Sequence, residues 1–106
     1  MTKALVVYVT VPSRQEAAKI ARALVHEKLA ACVSAIPGVS SCFRWKGRME
    51  RTQEILLMIK TTPRRYPALE KRIRFLHSYK VPEILATPVV GGNAEYIRWL
   101  RKSIEK

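Results

Sequence analysis

Aspartate is missing altogether from the 106-residue chain, and histidine and cysteine occur only twice each. That scarcity excludes the local metal motifs, in which closely spaced His and Cys ligands announce themselves, and leaves no cluster of histidines with acids. Four glycines are too few for a Gly-rich phosphate loop, and no nucleophile elbow is present. Cys32 and Cys42 stand ten positions apart in what reads as one extended segment, which separates them by about 33 Å. Free thiols are therefore expected, provided Pro37-Gly38 is a bulge and not a tight reversal that would fold one cysteine back onto the other. The longest apolar run, Ala4 to Val9, is far too short for a membrane-spanning helix, and no signal-peptide pattern precedes it, so the expected compartment is cytoplasmic.

What is abundant is apolar surface and positive charge. At 48% hydrophobic residues the chain can offset its ordering entropy, and its length suits one domain, residues 1–106. Twenty Lys and Arg against eight acids give a net charge of +12. Such a charge attracts nucleic acid, anionic membranes or phosphorylated ligands, more weakly as salt rises. The basic residues are spread over every segment, with denser patches at Arg44, Lys46, Arg48 and Arg51 and at Arg64, Arg65, Lys71, Arg72 and Arg74. A generally solvated basic surface is the favoured reading, ahead of a nucleic-acid or anion site.

Ala4–Val11 is apolar on both alternating faces and reads as a central strand. Ser13 and Glu16 form a capping box for a helix running to about Leu29, with Ala17, Ile20, Ala21 and Leu24 as its buried stripe. Ala31–Trp45 reads as extended, Lys46-Gly47 as a tight hairpin turn, and Arg48–Thr61 as the return strand, polar at first and then apolar on both faces from Ile55 to Ile59. A second helix, with Pro63 near its first turn, follows from the spacing of Tyr66, Leu69, Ile73 and Leu76. Ile84–Val90 is a last strand, and Asn93 caps a third short helix with Ile97, Leu100 and Ile104 on one side.

This order predicts an α+β, ferredoxin-like βαββαβ sandwich with an extra C-terminal helix. Proline is confined to sheet edges or bulges, and Pro37 and Pro88 fall in the second and fourth strands, which puts the first and third in the middle. The second strand, roughly fifteen residues long, outruns the first by about 20 Å, so its hairpin overhangs the sheet. Two helices cover one sheet face only. The uncovered face and the unpaired hairpin edges call for other copies of the chain, and an oligomer is expected.

Chemistry-bearing side chains concentrate between Leu76 and Ile84, where His77, Tyr79 and Glu83 border a helix-to-strand connection. Histidine and carboxylate can share a metal. The plainer reading is a rigid connection whose His and Tyr tips bond to backbone. With these segments placed, the chain resembles the CutA family of divalent-cation tolerance proteins over its whole length. The resemblance rests on Glu27-Lys28-Leu29-Ala30-Ala31-Cys32-Val33, Pro37-Gly38-Val39, Trp45-Lys46-Gly47, and Glu54 leading to Ile59-Lys60-Thr61. It continues through His77, Tyr79, Val81-Pro82-Glu83-Ile84, Pro88, Gly92-Asn93, Tyr96 and Trp99-Leu100.

That resemblance implies a homotrimer, a role tied to copper or other divalent ions, and no established catalysis. It departs from the family pattern at Val9 and Leu76, where members proposed to ligate copper carry cysteine and histidine, and two of those three soft ligands are absent. The expected metal set is His77 and Glu83, assisted by Cys32, holding Cu2+ or Zn2+ weakly, with no cofactor required. Glu54, Lys60, Tyr79, Trp45 and Trp99 are expected around an inter-subunit pocket, Glu54 and Lys60 pairing or capping there. A small enzyme with its site between subunits is the remaining alternative.

Overall fold

The structure, a computed structural model, describes residues 3–105. Its elements are β1 (Leu5–Val11), α1 (Arg14–His26), β2 (Cys32–Trp45), β3 (Arg48–Thr61), α2 (Tyr66–Leu76), β4 (Ile84–Pro88) and α3 (Ala94–Ile104). The four strands form one antiparallel sheet in the order β2-β3-β1-β4. The two apolar strands are therefore central and the proline-bearing ones are edges, as the sequence requires.

Register explains the core. Val7 faces Ile59, Val9 faces Leu57 and Val11 faces Ile55 across the β1–β3 ladder, and all six are buried together with Ile20 and Leu24 of α1 and Leu69 and Ile73 of α2. Each such side chain contributes roughly 1.5–3 kcal/mol by leaving water. The alternate residues, Val6, Tyr8, Leu56 and Met58, occupy the second face and stay half-exposed. There α3 adds a small patch, burying Leu100 and Ile104.

Beyond Val11 and Ile55, β3 loses β1 as a neighbour and continues with β2 alone to the turn. This overhang gives the chain its long axis of 44 Å against 25 and 22 Å. Lys46 and Gly47 both take positive φ, 52° and 76°, the pairing that matches the right-handed twist of a two-residue hairpin. The ladder shifts register between Ile36 and Val39, with Gly38 at φ 80°, so Pro37-Gly38 is a bulge and Cys32 and Cys42 remain free thiols.

Several element ends, and one helix cap, differ from expectation. α1 stops at His26, not Leu29, because Lys28 turns left-handed at φ 59° and the amides of Leu29 and Ala30 bond back to the Leu24 carbonyl. Of the expected capping box only half forms: the Ser13 hydroxyl accepts from the Glu16 amide at 3.2 Å, while the Glu16 carboxylate turns to the chain after α2 and accepts from the Ser78 amide at 2.9 Å. Pro63 lies in the turn before α2, capped by Thr62, whose oxygens accept from the amides of Arg65 and Tyr66, and the proline inside the helix start is Pro67. β4 ends at Pro88, and Val89 donates once more to Ala4.

Candidate functional site

Two polar clusters form at opposite ends of the β1–β3 ladder, and they divide the expected residues between them. The first is built where α2 ends. His77 caps the helix and is buried. Its Nδ1 accepts from the Tyr79 amide at 3.1 Å, so the ring proton sits on Nε2 and is donated to the Thr10 carbonyl at 2.8 Å. Glu16 Oε2 lies 3.3 Å from Nδ1. Both ring nitrogens are therefore engaged with the chain itself, and His77 locks the connection between α2 and β4 to the end of β1. This is the backbone-bonding reading of the histidine.

Tyr79 extends the cluster. Its ring packs against His77 with centroids 4.8 Å apart, and its hydroxyl donates to Glu54 Oε2 at 2.7 Å. Glu54 is a buried carboxylate, 7% exposed, on β3 one residue beyond its last contact with β1. Burial first, then the bond to Glu54 and the charges of Glu54 and Glu16, push the Tyr79 phenol up to about 12. It stays protonated and donates throughout the physiological range.

The second cluster sits where β2 begins. Cys32 faces Lys60 across the ladder, and Ser34, two residues on, shares that face. Lys60 Nζ donates to Ser34 Oγ at 2.7 Å and lies 3.9 Å from Cys32 Sγ. The Tyr96 phenol of α3 sits beside that thiol, and burial followed by the thiol's influence raises it above its ordinary value. Tyr96 and Trp99 pack with centroids 5.5 Å apart.

The expected pairing of Glu54 with Lys60 does not form within the chain, because each bonds into a different cluster, Glu54 to Tyr79 and Lys60 to Ser34. His77 and Cys32 likewise belong to different ends, and Glu83 is exposed near β4. Among the described residues no three His, Cys, Asp or Glu side chains converge on a metal position. Trp45 at the hairpin tip and Trp99 on α3 are each 47% exposed. As members of these clusters, Glu16, Thr10, Ser34 and Tyr96 escape sequence reasoning. Only Ser34 carries a signal, its i, i+2 relation to Cys32 on one strand.

The family model described as CutA1 divalent ion tolerance protein matches residues 5–103. The chain is 51% identical over 98 residues to a divalent-cation tolerance protein CutA of Thermus thermophilus, covering 92% of this chain and 95% of that one. A chloroplastic CutA of Arabidopsis thaliana is 43% identical over 93% of this chain, which spans only 54% of that protein's length. Among solved structures, the divalent cation tolerance protein of Thermus thermophilus superposes with a TM-score of 0.94 at 49% identity, over 96% of this chain and 99% of that one. CutA from Xylella fastidiosa superposes at 0.96 with 40% identity, over 98% and 100%.

Proposed function

The chain belongs to the CutA1 divalent ion tolerance family, and from that premise we propose that it is a non-catalytic, cytoplasmic homotrimer that serves tolerance or binding of divalent cations, copper among them. The observation that supports assembly is the surface one chain leaves open. From Arg48 to Glu54, β3 has no neighbour on the side where β1 stops, and Ile36, Phe43, Trp45, Met49 and Leu85 are 41–70% exposed along the hairpin and sheet edges. Unpaired strand edges and clustered apolar side chains are what a second copy covers.

Cation binding in this reading is weak and shared between subunits. Glu83 and Cys32 keep donor atoms available, and His77 contributes by holding the connection that presents Glu83. Tyr79, Glu54, Lys60, Trp45 and Trp99 border the inter-subunit pocket.

Sedimentation velocity of dilute protein is expected to give a trimer, and a compact single chain at all concentrations would overturn the assembly. Calorimetric titration with Cu2+ and Zn2+ is expected to show weak binding that is lost in a Glu83→Ala, Cys32→Ser double variant. Binding that is absent from the unaltered protein, or unchanged in the variant, removes the metal assignment.

A further inference from the structure

We propose that the groove between the start of β1, the β3–α2 turn and α3 is a binding site for a small oligophosphate-bearing molecule. The groove is an open cavity of about 1250 Å³, somewhat above the roughly 300–1,000 Å³ of ordinary small-ligand pockets. Among the described residues six cations line it, Lys3, Arg64, Arg65, Arg98, Arg101 and Lys102, against a single acid, Glu105. It lies apart from the hairpin overhang and does not depend on the reading given under Proposed function.

Three features separate this groove from the chain's general positive charge. Among the described residues only Arg72 pairs as a cation with a carboxylate, that of Glu27, the neutral His77 ring merely lying near Glu16, so none of the six groove cations is neutralised by a carboxylate there. Four of the six are arginines, whose planar fork grips phosphate bidentately where lysine acts as a point charge. One of them is held in place: Arg65 Nε donates to the Ile104 carbonyl at 2.8 Å, which leaves the two terminal nitrogens of its guanidinium to a ligand. Between the cations the surface is apolar, formed by Ala4, Pro88 and Ile97. A cationic rim around an apolar floor suits an anionic chain carried on a compact apolar body, with nucleoside triphosphates as the simplest chemical example. An extended single strand would instead call for a row of exposed aromatic platforms, and the groove is lined by no aromatic residue among those described.

The test is calorimetric titration of the intact protein with ATP, inorganic tripolyphosphate and a short single-stranded oligonucleotide at about 150 mM salt, where diffuse surface attraction is largely screened. Two charge-matched variants separate site from surface. Arg98→Glu with Arg101→Glu alters the groove, and Lys71→Glu with Arg74→Glu alters exposed positions of α2 outside it. ATP is expected to bind at least about tenfold more weakly to the groove variant and within about threefold of the unaltered protein in the α2 variant. ATP binding more tightly than tripolyphosphate identifies an esterified ligand, whereas equal affinity identifies the free oligophosphate; both support the site. Absence of binding by either phosphate, equal weakening by both variants, or the oligonucleotide as the tightest binder of the groove overturns it.

Discussion

Between Ile55 and Thr61, β3 runs with β1 on one side and β2 on the other, and Leu57, Ile59 and Thr61 are completely buried. Between Arg48 and Glu54 the same strand has only β2 beside it, and its residues are mostly polar and exposed until Glu54. The backbone geometry is continuous while the neighbours change. One half of the strand holds the subunit together, and the other offers an edge. Stability and assembly are thus assigned to different stretches of one element, and substitutions in the two halves should separate them.

The largest effect is expected at Leu57, which is fully buried. Leu57→Ala removes core volume facing Val9 and should lower stability by roughly 3–5 kcal/mol, seen as an earlier urea midpoint at every protein concentration. Met49, 70% exposed, should behave differently. Met49→Ala should leave the single chain within about 0.5 kcal/mol of the unaltered protein and act only on the concentration dependence of the midpoint, the mark of an assembled state. A Met49→Ala cost independent of concentration and as large as that of Leu57→Ala would erase the distinction between the halves.

Glu54 stands at the junction, and its bond to Tyr79 seals it. Tyr79→Phe leaves a buried carboxylate without its short donor and should cost about 1–3 kcal/mol. The phenol also gives a pH signature. Its folded pKa, about 12, lies above the ordinary 10, so the folded state favours the neutral form. The contribution is complete below pH 10 and is lost as pH rises through 12. Because the ring is partly open to solvent, a loss of roughly 1–2 kcal/mol is expected over that window. Thermal denaturation from about pH 9 to about pH 12 checks it, and an unaltered alkaline slope in Tyr79→Phe would show that another group is responsible.

The sheet was legible because its rules are periodic. Apolar residues on both faces of Leu5–Val9 and Ile55–Ile59, and prolines in the flanking strands, were enough to order the strands. Helix ends were less so, because Lys28 adopts a left-handed turn that glycine usually takes, and because Pro63 and Pro67 offer equally good starts for α2. The clusters resisted most. Nothing local links Glu16 to Ser78 or Glu54 to Tyr79, 62 and 25 residues apart, since the packing of α1 and α2 on the sheet brings them together. Cys32 and Lys60 meet for a simpler reason, strand register, which the hairpin turn sets from the far end.

Met49→Ala aside, that turn gives the smallest expected effect. Gly47 has open space around its α-carbon, and nothing lies within 4 Å of the position a methyl group would take there, so an alanine would clash with no neighbour and suffer only from φ 76°. Gly47→Ala should therefore cost about 1 kcal/mol of local strain. The overhang has few tertiary contacts to spread that cost, so it should appear as faster amide hydrogen exchange around Arg44 and Arg48, with the amides of Leu57 and Ile59 unchanged. If exchange accelerated equally in both halves, the tip and the core would be one cooperative unit, and β3 would not be divided where β1 ends.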